Sequence, residues 1–493
     1  MNGVRIAVLC AVLSSTLSSY SQSSIAVPVD AGAPLRLVQT MEMPATVKGS
    51  FDHFGIDSKR HRLFVTPEDL KAVLVFDLDS GKLLRQIDGV VRPHAVLYRA
   101  DVDRLYVTDG GDGSMKVYDG ESFKQIARIP LLKDADSIGY DISRQYLYVD
   151  NGGGDVGQTY SMLSVIDTTA NRKLGDMRIE GDTLEAMVLD NYRPHIYLND
   201  KATNQVIVVD RFRNKILAKW PITMGKQNVA MALDEQRQRL FVGCRSGQIV
   251  VLDSNTGKEL QTLPIGQGID DLIFDPTTRR LYASRDGAVD VFEQADLDHY
   301  VSRGRVPSGP HGRTSRLAPE LNRLFLAVPQ SGAQNARVLV YEPINTPTPR
   351  PPLDDVKEPV HAPAAQEIVL ETLSNHPLLR RIGLHVTPPG GKDMILVANG
   401  NATRVGIHTS EGDFAAVKSG KTYGPRIADG EFYNMKMPMF DAQGRRIGIL
   451  VMEIACTDAA SEQDAADQAE SIRAEVEQKI PDLESLFAPT PGN

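Results

Sequence analysis

A sequence unit of 41 to 49 residues repeats seven times along the chain, and this repeat constrains the fold more than any other feature. Each unit contains an aliphatic-aromatic run after a polar turn, as in Leu105-Tyr106-Val107, and a second apolar strand that closes on an acid, as in Val117-Tyr118-Asp119. The seven runs start at residues 63, 105, 147, 196, 240, 281 and 324. A period of this length is typical of the four-stranded blades of β-propellers.

The composition of each unit predicts short antiparallel strands. Val, Leu, Ile, Tyr and Phe alternate with turns rich in Asp, Ser, Asn and Gly, which favours tight hairpins. One twisted sheet of four strands cannot bury both of its faces, whereas sheets packed radially around a channel can, and closing the ring removes most strand edges. The sequence therefore predicts a mainly β protein built on a seven-bladed β-propeller.

The last unit predicts how the ring closes. It supplies three strands, at about 313–317, 322–328 and 337–342, and then enters a proline-rich stretch where a fourth strand cannot form. Residues 35–43 precede the first complete unit and have the alternation of an outer strand. We expect this segment to be the missing outermost strand of the seventh blade, so that the propeller spans residues 35–343.

The amino terminus predicts export. Residues 1–26 contain one early cation, Arg5, an apolar core at 6–17 and small residues up to Ala26, which is the pattern of a secretory signal peptide. Cys10 lies inside the apolar core, which disfavours a lipoprotein signal. We therefore expect a periplasmic or extracellular protein.

Composition narrows the range of partners. The net charge of −9 gives no general attraction to nucleic acid. After residue 26 there is no stretch of about 20 apolar residues, so no membrane span is predicted. Cys244 and Cys456, which remain after signal removal, indicate no disulfide framework. The expected partner is a small molecule or another protein, and the oligomeric state stays open.

The repeat also carries a family resemblance. The segment from Asp103 to Thr108, with sequence Asp-Arg-Leu-Tyr-Val-Thr, and the Val-Tyr-Asp that ends at Asp119 resemble the YVTN-type propellers of the YncE-like family of secreted bacterial proteins. The resemblance covers about residues 35–343. It implies a scaffold and no single shared reaction, so function must be argued from the site.

The two faces of the predicted ring differ in charge. On one face lie short charged turns, such as 57–62, 234–239 and 275–280, which predict hairpins, and His61 and His195 are expected to be solvated there. The other face carries ionisable residues at six of the seven positions that lie eleven residues before each run. These seven positions are Asp52, His94, Asp136, Glu185, Val229, Asp270 and Arg313.

We expect these positions to meet at the mouth of the channel, because buried strand starts rarely need so many ionisable groups. The sequence leaves two interpretations open: the charged rim only solvates the ring, or it binds a ligand. The candidate ligand-binding residues are Asp52, His53, His94, Asp136, Glu185, Arg245, Asp270, Asp271, Arg285 and Arg313.

We expect no cofactor, but a divalent metal is chemically compatible with these residues, since carboxylate and imidazole ligands suit several such ions. No other cofactor or nucleophile motif is found: the chain has no Cys-x-x-Cys-His, one tryptophan and no Gly-x-Ser-x-Gly. The metal-ligand candidates are Asp52, His94, Asp136, Glu185 and Asp270.

A second domain follows a proline-rich linker at residues 344–363. Helical periodicity at 366–379 is followed by strands at 382–387 and 393–399, a short helix at 413–418, a hairpin of 431–440 with 446–455, and an amphipathic helix at 461–479. This order predicts an α+β fold over residues 364–488.

The hairpin from Pro438 to Leu450 resembles the central hairpin of Cache or PDC domains, which are PAS-like extracellular sensors. The resemblance implies a ligand between the sheet and its covering loops, while the alternative is a small fold without ligand. Unlike receptors of that type, this chain contains no signalling output segment. The residues expected near the ligand are His385, Lys421, Tyr423, Tyr433 and Lys436.

These patterns support three hypotheses of function. The first is a binding or scaffold protein that uses the charged propeller face for a small ligand or protein partner, with a Cache-like sensing module. The second is a metal-dependent hydrolase of the lactonase type, in which Glu185, Asp270 or Asp271 holds the cation and activates water. The third is structural adhesion at the cell surface.

Overall fold

The computed structural model describes residues 32–347 except 297, and residues 357–490 except 378, 420, 421, 423, 425, 428–431 and 457. The predicted signal peptide and residues 348–356 of the predicted linker lie outside the described residues. Within the described residues, no helix has the length and apolar character that crossing a bilayer requires.

Residues 32–347 are built from propeller-like, four-stranded antiparallel sheets, of which the described chain contains seven. Strand β1 (Leu35–Glu42) comes first in the chain. The first three consecutive sheets are β2 (Gly55–Asp57), β3 (Arg62–Val65), β4 (Ala72–Asp77) and β5 (Leu83–Asp88); β6 (Pro93–Arg99), β7 (Arg104–Asp109), β8 (Ser114–Asp119) and β9 (Gln125–Pro130); and β10 (Ile138–Asp141), β11 (Tyr146–Gly152), β12 (Ser161–Asp167) and β13 (Arg172–Ile179).

The remaining strands of this region follow the same plan. Three more sheets are consecutive in the chain, and the last three strands form a sheet with β1. They are β14 (Leu184–Leu189), β15 (His195–Asp200), β16 (Gln205–Asp210) and β17 (Lys215–Pro221); β18 (Asn228–Asp234), β19 (Arg239–Cys244), β20 (Gln248–Asp253) and β21 (Glu259–Pro264); β22 (Ile269–Asp275), β23 (Arg280–Arg285), β24 (Ala288–Gln294) and β25 (Tyr300–Pro307); and β26 (Thr314–Ala318), β27 (Arg323–Val328) and β28 (Arg337–Pro343).

The amino-terminal strand completes the last sheet. β1 pairs antiparallel with β28, with Leu35 opposite Pro343 and Met41 opposite Val338. Leu35 and Met41 are buried near the two ends of the strand, whereas Leu37 is 51% exposed next to a register shift between Leu37 and Gln39. The predicted role of residues 35–43 as the outer strand of the last sheet is confirmed.

Neighbouring sheets pack through their first strands, so that β2, β6, β10, β14, β18, β22 and β26 follow one another around a common centre. The last sheet also packs on the first, because Met41, Phe76 and Phe325 share one hydrophobic core. The hydroxyl of Thr314, at the start of β26, donates to the carbonyl oxygen of Phe51 at 2.9 Å. The chain therefore has a mainly β, propeller-like fold.

The acid that ends the third strand of most units has a local role. Oδ1 of Asp77 accepts the backbone N–H of Ser80 at 2.7 Å, and Oδ1 of Asp253 accepts that of Thr256 at 3.0 Å. A carboxylate in this position fixes the turn into the fourth strand. The repeated acid therefore stabilises a turn between the third and fourth strands of its sheet.

The arginine that often precedes the aliphatic-aromatic run connects neighbouring sheets. The guanidinium of Arg62 donates to the carbonyl oxygen of Gly120 in the next sheet at 2.8 Å, and that of Arg280, which is fully buried, donates to the carbonyl oxygen of Ile344 at 2.7 Å. The turns that sequence assigns to hairpin formation thus also hold sheets together. Equivalent contacts join Arg99 to Thr168, Arg193 to Ser254 and Arg239 to Asp298.

His195 lies on the face that carries the short charged turns, which we call the turn-bearing face. It is buried there, so the prediction that it is solvated is wrong. The residue is 7% exposed. Burial and the nearby charge of Arg193 lower the pKa of His195 to about 3, so it is neutral. His61 is solvated as expected, since its side chain is 47% exposed.

The second region is a five-stranded antiparallel sheet with helices. In spatial order its strands are β30 (Ile395–Asn399), β29 (Leu379–Val386), β33 (Arg446–Ala455), β32 (Phe432–Phe440) and β31 (Arg426–Ile427). Helices α1 (Pro363–Asn375) and α3 (Glu462–Gln478) pack with Met437 and Leu450 in one core. Helix α2 (Glu411–Ser419) lies against β32, where Asp413 pairs with Lys436 at 2.6 Å.

Helix α1 contacts the turn-bearing face of the propeller-like region. Glu367 on α1 accepts from the guanidinium of Arg144 at 3.0 Å, and the hydroxyl of Ser374 donates to Asp210 at 2.9 Å. The two regions therefore meet on the face opposite to the charged residues singled out in the sequence.

Candidate functional site

The site begins where the first strands of the sheets begin. The pairing of these strands with their neighbours is irregular at the start, with register shifts after Pro93, Leu184, Asn228 and Ile269. A bulge at a strand start redirects side chains away from the ladder. The ionisable residues that lie just before these first strands or at their starts consequently converge on one cavity, which we call the mouth site.

The mouth site is a polar cavity of about 360 Å³. Below it lies a cavity of about 270 Å³ along the centre of the ring, lined largely by Ala, Val, Leu, Ile and Met side chains of the first strands. Of the predicted ligand-binding residues, eight line the mouth site: Asp52, His53, His94, Asp136, Glu185, Arg245, Asp270 and Arg313.

A carboxylate-imidazole cluster forms one part of the mouth site. Nδ1 of His94 lies 2.6 Å from Oδ2 of Asp52 and 3.6 Å from Oδ1 of Asp136. The ring of His94 packs against Gly110, where a Cβ atom would lie 2.7 Å from Nε2. Only glycine leaves room for this imidazole at position 110.

His53 links this cluster to the sheet on the opposite side. Its Nε2 atom lies 3.4 Å from Oδ1 of Asp52, and its Nδ1 atom lies 3.3 Å from Oδ1 of Asp271. Asp271 also accepts the backbone N–H of Ser315 at 2.6 Å. Asp271, which lines the lower cavity, is therefore held by a histidine and a backbone donor.

The surroundings of these groups set their charges. Burial opposes protonation of His94, but the hydrogen bond to Asp52 and the charge of Asp136 outweigh it and raise the pKa of His94 to about 9. Burial also disfavours the charged form of Asp52, yet the charge of His53 and the hydrogen bond to His94 hold the pKa of Asp52 well below its usual range. At neutral pH Asp52 is a carboxylate and His94 an imidazolium.

Asp136 has the opposite behaviour. Burial and the negative charge of Asp52 raise the pKa of Asp136 to about 7. Burial and the charge of Asp136 also raise the pKa of Asp150, on the second strand of the same sheet, well above its usual range. The cation at 3.6 Å from Asp136, His94, is itself hydrogen-bonded to Asp52.

The other predicted acids are already paired with cations. Oδ1 of Asp270 accepts from Arg245 at 2.7 Å, and its Oδ2 lies 3.3 Å from Nε of Arg313. Glu185 accepts a hydrogen bond from Lys201. Burial nevertheless raises the pKa of Asp270 to about 6, although Arg313 opposes the shift.

Two of the predicted ligand-binding residues, Asp271 and Arg285, do not line the mouth site. Arg285 donates to Asp290 at 3.0 Å, at the far end of its own hairpin, and lines neither of the two central cavities. Val229 contributes an apolar patch to the wall.

A further set of charged residues, which the repeat does not predict, surrounds the mouth site. Glu68 pairs with Arg92 at 2.8 Å, and Asp155 lies 4.0 Å from the same arginine. These residues lie in loops of irregular length, so their position in the repeat gives no signal. The added wall residues with ionisable side chains are Glu68, Arg92, Asp134, Asp155 and Lys201.

Three residues of the mouth site have the arrangement of metal ligands. Atoms of Asp52, His94 and Asp136 all lie within 4.8 Å of one another, whereas Glu185 and Asp270, the other metal candidates, carry cationic partners. A second group of this kind among the described residues, Glu358, Asp393 and His408, lies at the surface of the second region.

The candidate ligand residues of the second region are only partly brought together. His385 contacts Thr409 at 3.0 Å, and burial lowers the pKa of His385 to about 4. Lys436 lies on the same side, facing α2, whereas Tyr433 packs in the hydrophobic core on the other side of the sheet. Lys421 and Tyr423 lie outside the described residues.

No protein-family model matches the chain. The chain is similar to the uncharacterized protein YncE of Salmonella typhimurium and of Salmonella typhi, with 25% identity over 223 residues in each case. The match covers 44% of this chain and 60% of YncE, so it spans less than two thirds of these relatives.

One solved structure has a similar fold. A chain of the mitotic checkpoint complex matches with a TM-score of 0.52 over 68% of this chain and 98% of its own length, at 16% identity. Hydrazine synthase of Kuenenia stuttgartiensis matches with a TM-score of 0.46 over 50% of this chain and 84% of its own, also at 16% identity. Identity at this level indicates the fold alone, and the chain is a β-propeller protein similar to YncE.

Proposed function

We propose that this chain is an exported binding protein whose mouth site holds a small ligand. The seven sheets then form one closed seven-bladed ring over residues 35–343, and the signal sequence at 1–26 directs the protein to the periplasm or the exterior. The ring supplies a rigid frame, and the ligand is recognised by residues from several sheets at once.

One observation carries the proposal: the mouth site has buried polar atoms without a hydrogen-bond partner in the protein. Nε2 of His94 and Oδ1 of Asp136 are both of this kind. Buried polar atoms are nearly always hydrogen-bonded, and leaving one unpaired costs about 1–3 kcal/mol. A ligand that supplies these partners would therefore gain binding energy that the protein alone does not use.

A thermal-shift screen of the mature protein against sugars, lactones, carboxylates and amines tests this proposal. Compounds that raise the melting temperature of the wild type should lose their effect in the variant His94→Gln. The matched control is His61→Gln, on the opposite face, which should respond like the wild type. If a ligand stabilises His94→Gln as strongly as the wild type, its site lies elsewhere.

The second region supports a sensing role as part of the same proposal. The hairpin that resembles Cache domains provides two adjoining strands, β32 and β33, of the five-stranded antiparallel sheet. His385 and Lys436 face α2 on the side where a ligand is expected. A melting-temperature shift in a protein limited to residues 1–347 would assign a given compound to the propeller, and its loss there would assign it to residues 357–490.

A metal-dependent hydrolase is the second candidate, and the close group of Asp52, His94 and Asp136 favours it. A divalent ion bound there would lower the pKa of a bound water and supply a nucleophile. The ion would have to displace the proton shared by His94 and Asp52, so its affinity should rise with pH. Elemental analysis after equilibrium dialysis at pH 8 that finds no stoichiometric metal would end this candidate.

A further inference from the structure

The charges of the mouth site are distributed unevenly around it. Asp134 and Asp136, just before the third sheet, and Asp155 in its long loop form an acidic side. Arg245 from the fifth sheet and Arg313 from the seventh form a basic side. Both groups line the same cavity, so a single small molecule could touch both.

The acidic side holds three carboxyl groups around two cations that already have other partners. Arg92 pairs with Glu68 at 2.8 Å and lies 4.0 Å from Asp155, and His94 lies 3.6 Å from Asp136. Oδ1 of Asp136 has no hydrogen-bond partner in the protein. The nearest cation, His94, is committed to Asp52 by the 2.6 Å hydrogen bond. A cationic group of a ligand would supply the missing positive charge.

The basic side has more positive charge than its one acid can neutralise. Arg245 and Arg313 share the single carboxylate of Asp270, at 2.7 and 3.3 Å. Nε of Arg245 is buried and has no hydrogen-bond partner, and the side chain of Arg313 is 35% exposed to the cavity mouth. A ligand carboxylate could accept a charge-assisted hydrogen bond from each of the two guanidinium groups.

We infer that the mouth site binds a small zwitterion, with its ammonium group at Asp134 and Asp136 and its carboxylate at Arg245 and Arg313. This inference rests on the proposed function and specifies the ligand class. A bare metal cation would leave the basic side unused, and an anion would be repelled by the acidic side. The cavity of about 360 Å³ has room for a molecule of amino-acid size.

Isothermal titration calorimetry of the mature protein at pH 7.5 tests the inference. The probes are the three amino acids glycine, 4-aminobutanoate and 6-aminohexanoate. Butylamine and butanoate are the controls, since each carries only one of the two charges. We expect one of the three amino acids to bind at least about tenfold more tightly than butylamine or butanoate, since each charge-assisted contact contributes on the order of a tenfold gain.

Variants of each side identify the contacts. Asp136→Asn and Arg313→Gln should each weaken binding of the amino acid by about tenfold or more. The matched controls Asp79→Asn and Arg303→Gln replace exposed residues outside both cavities and should bind like the wild type.

Three results would overturn the inference. The first is that butylamine binds as tightly as the best amino acid. The second is that no amino acid binds while Zn²⁺ binds with the same affinity to the wild type and to Arg313→Gln. The third is that none of the five organic probes binds. In each case the proposed function is judged separately, by whether compounds of the wider screen depend on His94.

Discussion

Nδ1 of His94 lies 2.6 Å from Oδ2 of Asp52, although the two residues are 42 positions apart in the chain. That separation equals one repeat, so they occupy equivalent positions in neighbouring sheets. The repeat thus builds this part of the site directly, because the packing of β2 on β6 brings equivalent residues of two neighbouring units into contact.

This pair should make stability depend on pH. The pKa of His94 is raised from 6.5 to about 9, so folding favours its protonated form. The resulting stabilisation is complete below about pH 6.5 and is lost as pH rises through about 9. Urea unfolding should show His94→Gln less stable than the wild type by on the order of 2 kcal/mol at pH 6, with a smaller difference at pH 10. A difference that does not change with pH would contradict the ion pair.

Asp136 should behave in the opposite sense. Its pKa is raised from 3.8 to about 7, so the folded protein takes up a proton as pH falls through 7, and ionisation above pH 7 costs stability. Asp136→Asn imitates the protonated form and should raise the free energy of unfolding at pH 8 by on the order of 1–2 kcal/mol. Below pH 4 the two proteins should be equally stable. Destabilisation at pH 8 would show that Asp136 is held by a cation.

The outer strand at the amino terminus should be essential for stability. Met41 is fully buried in the core shared by the first and last sheets, whereas Leu37 on the same strand is 51% exposed. Met41→Asp should lower the free energy of unfolding by about 3 kcal/mol or more, because it buries an unpaired charge. Leu37→Asp should change it by no more than about 0.5 kcal/mol. Equal effects of the two substitutions would argue against strand β1 closing the ring.

The buried arginine contacts between sheets should also be measurable. Arg280 is fully buried and donates to the carbonyl oxygen of Ile344, just after the last strand of the propeller-like region. Arg280→Met leaves these acceptors and Glu293 without their donor and should cost about 3–5 kcal/mol in denaturant unfolding. Arg303→Met, at an exposed arginine near the same Glu293, is the control and should cost less than about 1 kcal/mol. A small effect of Arg280→Met would mean that the sheets are held by apolar packing alone.

Much of this architecture could be predicted from sequence, because strands and turns depend on local patterns. Runs such as Leu105-Tyr106-Val107 lie inside strand β7, and residues 35–43 pair where the missing strand was expected. The six ionisable residues that are equally spaced before the runs all line one cavity, as that spacing predicts. These features depend on periodicity, which the sequence shows directly.

The remaining features depend on side-chain directions and on neighbours distant in the chain. Nothing in the sequence indicates that Arg245 and Arg313 both turn toward Asp270, or that Arg285 turns back to its own hairpin. His195 lies in a turn that looks solvated, yet the buried arginines of neighbouring sheets surround it. Pairing of charges across sheets is a property of the assembled ring and leaves no periodic signal.

Hydrogen–deuterium exchange with the tightest compound of the ligand screen shows most directly whether the ligand binds at the mouth site. We expect slower exchange in the segments that frame the mouth site, at residues 50–54, 91–95 and 134–137. Exchange should not change in the opposite turns at 57–62 and 234–239. Protection confined to those turns, or to residues 379–386 and 432–440 of the second region, would contradict a ligand site at the mouth of the ring.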